Sequence, residues 1–141
     1  MRIMGIDYGD ARVGIALSDP LMLTAQGFKT LPNKVYHKMI EALVELINDN
    51  DVCKIVIGMP KNLNGTLGFR ADITNDFASD LKSRISDDIE IVFQDERLTT
   101  VEASTFLNFT DTRGKNRKNV IDTVAAEIIL QSYLDSKVNK K

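Results

Sequence analysis

The segment Lys54-Ile55-Val56-Ile57-Gly58-Met59-Pro60 constrains the fold more than any other stretch of this chain. Ile55, Val56 and Ile57 are consecutive and β-branched, with no polar residue alternating between them. Successive side chains of a strand point to opposite sides, so a strand of this composition is apolar on both faces. It belongs in the parallel part of a sheet that helices cover from above and below. Segments able to do the covering flank it. From about Asn33 to Asn48, after Pro32, the residues Tyr36, Met39, Ile40, Leu43, Val44 and Ile47 keep the spacing of one helical face. Downstream, Ile73, Phe77, Leu81 and Ile85 recur every fourth residue and predict a second helix.

The N-terminal part reads differently. Arg2 to Tyr8 is a short apolar run, and after Gly9-Asp10-Ala11 the residues Val13, Ile15 and Leu17 alternate with small ones, which predicts two strands paired as a hairpin. A third strand is expected near Gln26 to Leu31 and a fifth over Ile89 to Gln94. Thr99-Thr100-Val101-Glu102 is a capping-box start for a short helix through Leu107. Ile121, Val124, Ala125, Ile128 and Ile129 predict a last helix ending near Asp135. The order implies an antiparallel three-strand meander joined to parallel strands by helical crossovers. This is an α/β fold with a mixed five-stranded sheet and helices on both faces. With no internal repeat, low-complexity tract or linker, residues 1–141 are expected to form one domain.

Composition narrows the chemistry. Cys53 and His37 are the only cysteine and histidine, which excludes a disulfide framework and a Cys/His zinc site and makes a histidine-based triad hard to build. Any bound metal must then sit on oxygen ligands. The N-terminus reaches Asp7 too early for a signal peptide, and no run of about 18 apolar residues exists, so a cytoplasmic protein without membrane contact is expected. A net charge of −2 argues against coating nucleic acid by bulk positive charge and leaves room for a local basic patch.

Three acidic positions invite a common site: Asp7 at the end of the first strand, Asp95 and Glu96 at the end of the fifth, and Asp122 in the first turns of the last helix. In open α/β sheets functional groups gather at strand ends. Mg2+ or Mn2+ prefers oxygen ligands, and two such ions about 3.5–4 Å apart can activate a water and stabilise the leaving oxygen of a phosphodiester. Ala125 and Ala126 lie on Asp122's side of the helix and are small enough to let its backbone approach the sheet. Each acid also has a simpler reading: an Asx turn into Gly9 for Asp7, a surface ion pair with Arg97 for Asp95 and Glu96, and a first-turn acid facing the helix dipole for Asp122.

Around these acids lie candidate phosphate donors. The loop from Pro60 carries Lys61, Asn62, Asn64 and Gly65 and leads to Arg70. The run Arg113-Gly114-Lys115-Asn116-Arg117-Lys118-Asn119 holds four cations and no acid just upstream of Asp122, read as a loop that either neutralises a nucleic-acid backbone or is merely solvated. His37 and Cys53 are assigned no role.

Four blocks are recognisable together. They are Gly5-Ile6-Asp7-Tyr8-Gly9 with Arg12-Val13-Gly14-Ile15-Ala16; Ile57-Gly58-Met59-Pro60 with Asn62 and Gly65-Thr66; Asp95-Glu96-Arg97-Leu98-Thr99-Thr100-Val101-Glu102-Ala103; and Ile121-Asp122 with Ala125-Ala126 and Ile128-Ile129-Leu130. These resemble the YqgF family, also called RuvX: Holliday junction resolvases also described as pre-16S rRNA processing nucleases. The first block alone would also fit sugar-kinase and actin-like ATPases. The family commonly has a basic residue where this chain has Ala11 and an apolar one where it has Lys61.

The resemblance implies an RNase H-like fold and a metal-dependent nuclease in which Asp7, Glu96 and Asp122 hold Mg2+ or Mn2+. Asp95 and Glu96 should point to opposite faces by strand alternation, and Glu96 is the one chosen. Arg12, Lys61, Asn62, Arg70, Arg97, Arg113, Lys115, Arg117 and Lys118 would bind the nucleic acid. The implied partner is structured RNA, an rRNA precursor, or alternatively branched DNA, and the implied state is a monomer or homodimer. The rival readings are a non-catalytic nucleic-acid-binding module and an actin-like nucleotide-binding module.

Overall fold

The computed structural model describes residues 1–59, 69–95 and 114–139, of which 69–71, 95, 114–122 and 137–139 are described by backbone alone. Along the chain come β1 (Arg2–Tyr8), β2 (Arg12–Ser18), β3 (Ala25–Pro32), α1 (Tyr36–Asp49), β4 (Val52–Met59), α2 (Phe69–Arg84), β5 (Glu90–Asp95) and α3 (Gly114–Asn139). The short helix expected over residues 99–107 lies outside the described residues.

The strands form one sheet in the order β3-β2-β1-β4-β5. β1 pairs antiparallel with β2, and β2 with β3, while β1, β4 and β5 run parallel. The unbroken apolar run is β4, and it lies between two parallel neighbours as its composition requires. Its alternate residues serve two separate cores. Ile55 and Ile57 join Met4, Ile6, Val13 and Ile15 beneath α1 and α2, where Met39, Ile40, Leu43, Phe77 and Leu81 complete the layer. Val56 joins Ile3 and Ala16 against Ala126, Ile129, Leu130 and Tyr133 of α3. Helices therefore cover both faces, and each Leu, Ile or Phe so buried contributes about 1.5–3 kcal/mol.

Three element boundaries differ from the sequence reading, one being the end of α3, at Asn139 rather than near Asp135. α1 begins at Tyr36 rather than near Asn33, because Asn33 is buried and bonded to the β1–β2 turn instead of entering the helix. α3 begins at Gly114 rather than near Ile121, so the cationic run from Lys115 to Lys118 is helix and not loop. Lys and Arg are good helix formers and the run contains no proline or β-branched residue, so nothing in it stops the helix. Asp122 consequently sits about two turns in from the helix start, beyond the reach of the terminal dipole, and the first turn holds no acid.

The seating of α3 depends on a glycine. A Cβ placed on Gly5 would lie 2.7 Å from Leu130 Cβ and 2.8 Å from the Ala126 carbonyl oxygen, so helix backbone rests on strand backbone at this point. Ala125 and Ala126 are buried, as their size suggested. None of the described helices is long and apolar enough to cross a membrane.

Gly5→Ala is expected to lower the unfolding free energy by about 2–3 kcal/mol, because the methyl has no flexible neighbour to displace. Gly27→Ala, where the new Cβ would lie 3.3 Å from the Thr123 side chain on an exposed strand, should stay within about 0.5 kcal/mol of wild type. Urea denaturation of both variants checks this, and equal midpoints would contradict the close seating of α3 on β1.

Candidate active site at the carboxyl ends of the parallel strands

Because β1, β4 and β5 are parallel, their carboxyl ends meet at one edge of the sheet. The register aligns Ile6 with Ile57 and Ile57 with Phe93, and it carries Gly58 against Gln94 and Met59 against Asp95. Asp7 is thus level with Gly58 and Gln94, with β1 and β5 about 10 Å apart across β4. Asp7 is half-buried and lies opposite Gly14 of β2.

Contacts along α3 give its direction. Glu127 Oε2 accepts a hydrogen bond from the Gly27 amide at 3.2 Å, and Gln131 Oε1 accepts one from the Ala25 amide at 2.8 Å. Tyr133 meets Lys54, whose register partner on β1 is Ile3; the Lys54 ammonium donates to the Tyr133 hydroxyl at 2.9 Å and pairs with Glu90 at 3.1 Å. Rising residue numbers in α3 therefore run toward the amino end of β1, antiparallel to it. Ala126 sits over Gly5, so the helix position four residues earlier, Asp122, falls toward the Asp7 end of the strand.

The turn that follows Asp7 is tightly held. Gly9 has no room for a side chain, since a Cβ there would lie 2.6 Å from the Arg12 carbonyl oxygen. The Asn33 main-chain amide donates to Ala11 O at 2.9 Å and its side-chain Nδ2 donates to Gly9 O at 2.8 Å. On the other face of the sheet, the Tyr8 ring stacks on Phe77 of α2, with centroids 4.2 Å apart and planes inclined by 17°. The Tyr36 hydroxyl donates to Asp80 Oδ2 at 2.6 Å, and Arg84 Nε meets Asp80 Oδ1 at 3.0 Å. The Tyr36 hydrogen bond, followed by the Arg84 bond, holds the Asp80 carboxyl below its ordinary range; burial, then Asp80, pushes the Tyr36 phenol up.

Of the site residues read from sequence, the structure brings Asp7, Arg12 and the chain position of Asp122 to this edge. Arg12 opens β2, half-buried and paired with Pro32. Asp95 is the last residue of β5, Arg70 lies in the first turn of α2, and Lys115, Arg117 and Lys118 occupy the first turns of α3. Glu96, Lys61, Asn62, Arg97 and Arg113 lie outside the described residues. Among the described residues no group of three His, Cys, Asp or Glu side chains gathers around a common point, since Asp7 is the one member of the acid set whose side chain is described. Asn33 escaped sequence reasoning: a Pro-Asn pair signals a turn, and nothing local reveals a partner 24 residues away. A hollow of about 490 Å3 runs along α2 and β5 past Lys82, Glu90 and Phe93, on the outer edge of the sheet.

A family model described as Holliday junction resolvase, RuvX, matches residues 1–136. Among curated relatives, a protein of Halothermothrix orenii is 47% identical over 135 residues, which are 96% of this chain and 95% of the relative. One of Natranaerobius thermophilus is 48% identical over 140 residues, covering 99% and 98%. Both carry the name "Putative pre-16S rRNA nuclease". In fold the chain resembles the Fowlpox virus resolvase solved with Holliday junction DNA, with a TM-score of 0.60 at 12% identity over 99% of this chain and 100% of that one. It likewise resembles Thermus thermophilus RuvC solved with its junction substrate, with a TM-score of 0.56 at 9% identity over 99% and 96%. The RNase H-like fold expected from the sequence is the fold observed.

The Tyr36–Asp80 bond predicts a pH window. Asp80's folded pKa is depressed, so its contribution is present above the unfolded value near 3.9 and is lost as pH falls through the folded one. Tyr36's is raised, so its contribution is present below about 10 and lost at more alkaline pH. Tyr36→Phe should therefore cost about 0.5–1 kcal/mol at neutral pH, a solvent-screened value. Urea melts across pH should show the difference from wild type shrinking at both extremes; a constant difference would contradict the bond.

Proposed function

The chain belongs to the RuvX family, and on that premise we propose that it is a metal-dependent nuclease hydrolysing phosphodiester bonds in structured nucleic acid, with the 5′ end of the 16S rRNA precursor as substrate. The names carried by relatives sharing nearly half of its residues over nearly full length support the RNA assignment. The observation that carries the site is the antiparallel seat of α3 on β1 at Gly5. It brings the strand position of Asp7 and the helix position of Asp122 toward the end of the sheet where β5 finishes at Asp95.

That donor set fits a divalent cation. Asp7, Glu96 and Asp122 offer oxygen ligands alone, the kind Mg2+ and Mn2+ take. Asp7, Glu96 and Asp122 would hold the ions. When bound, the ions supply the Lewis acidity that phosphodiester hydrolysis uses. The register supports Glu96 over Asp95. Asp95 pairs with Met59, in the alternate set of Ile55 and Ile57, whereas Asp7 shares the set of Ile3 and Gly5. Residues 1–141 act as a single nuclease domain.

The chain's remaining groups grip substrate. α3 begins about 12 Å before Asp122 along its axis, so the helix positions of Lys115, Arg117 and Lys118 lie on the far side of Asp122 from Ala126. With Arg12, Lys61, Asn62, Arg70, Arg97 and Arg113 they hold phosphates flanking the scissile bond. The family's description as a Holliday junction resolvase favours a second reading, branched DNA as substrate. Symmetric cuts in a junction need two active sites, so that reading requires a homodimer, whereas single cuts in an RNA precursor are made by a monomer.

Asp7→Asn should reduce cleavage of an rRNA precursor in Mg2+ by about 100-fold or more. Side-by-side assays on precursor RNA and a four-way DNA junction separate the two substrate readings, and unimpaired cleavage by Asp7→Asn would sink the metal assignment. Lys118→Ala should reduce the slope of log affinity against log salt by about 0.7–0.9, measured on catalytically inactive Asp7→Asn protein. An unchanged slope would remove Lys118 from the phosphate contacts.

A further inference from the structure

The turn between β1 and β2 spans Gly9 to Ala11 and starts two residues after Asp7. Two of its carbonyls are bound by a single residue, Asn33, through its main-chain amide to Ala11 and its side-chain Nδ2 to Gly9. Asn33 follows β3 and is 8% exposed. Its other side-chain atom, Oδ1, is buried without a hydrogen-bond partner among the described residues. The desolvation cost of that acceptor offsets much of what the Nδ2 bond contributes, so the side chain adds little net stability. What it does add is geometry. An amide donor aimed at Gly9 O fixes the orientation of the Gly9–Asp10 peptide, in a turn so tight that a Cβ on Gly9 would lie 2.6 Å from Arg12 O.

We propose that Asn33 is a positioning residue for Asp7, fastening the turn so that the carboxylate is held ready for divalent cation. This rests on Asp7 being a metal ligand. A buried polar side chain that adds little net stability is a mark of functional positions, and this one binds the turn that starts two residues after Asp7. A matching bond elsewhere provides a control: Asn50 Nδ2 donates to Leu46 O at 2.8 Å at the C-terminal end of α1, close to the amino end of β1.

Mn2+ binding is measured by calorimetry, and thermal stability without metal, on wild type, Asp7→Asn, Asn33→Ala, Asn33→Ser and Asn50→Ala. Asp7→Asn should abolish binding. Asn33→Ala should weaken it about 5–10-fold while melting within about 4 °C of wild type, and Asn33→Ser, with a shorter donor, should fall between. Asn50→Ala should bind as wild type does, whatever its melting temperature. Mn2+ affinity of both Asn33 variants within twofold of wild type, with Asp7→Asn abolished, would overturn the positioning role and leave the metal site standing. Binding unaffected by Asp7→Asn would overturn the metal reading itself, and the role of Asn33 with it.

Discussion

Backbone contact between α3 and β1 at Gly5 is the constraint on which the rest of the structure hangs. Without a side chain at residue 5, and with Ala126 opposite, the helix lies close enough to bury Ile129, Leu130 and Tyr133 against one face of the sheet. Its antiparallel direction then decides which helix residues reach which end of β1. Tyr133 reaches Lys54 and Ile3 at one end, and the turn containing Asp122 lies toward Asp7 at the other. A larger residue at 5 would displace the helix from the strand, and with it the distance between two of the three acids.

Much of this order is legible in the chain. The consecutive Ile55, Val56 and Ile57 announce a strand covered on both sides, and the four-residue spacing of Phe77 and Leu81 announces one of its covers. The carboxylates at strand ends are visible because strand ends can be located from turn residues. Two features are not visible, each for a physical reason. The start of α3 is missed because Lys and Arg favour helix and solvation equally, so charge alone does not mark a boundary. Asn33 is missed because its partners come from a turn 24 residues away.

The two ends of the sheet are built with different chemistry. At the amino end of β1, Lys54 bridges Tyr133 and Glu90, and the Met1 ammonium meets Asp51 at 3.2 Å, so charges there are paired with one another. At the carboxyl end β1 places Asp7, and the first turns of α3 carry the chain positions of Lys115, Arg117 and Lys118. The near balance of 18 basic and 20 acidic residues conceals this difference between the two ends.

The early start of α3 has an electrostatic consequence. Peptide dipoles place partial positive charge at a helix's first turn, and there α3 carries Lys115 and Arg117, with Lys118 just beyond and no acid to compensate. The helix therefore opens against its own field. An anion placed across that end would relieve the repulsion, and dissolved salt, by screening the like charges, would ease the same strain.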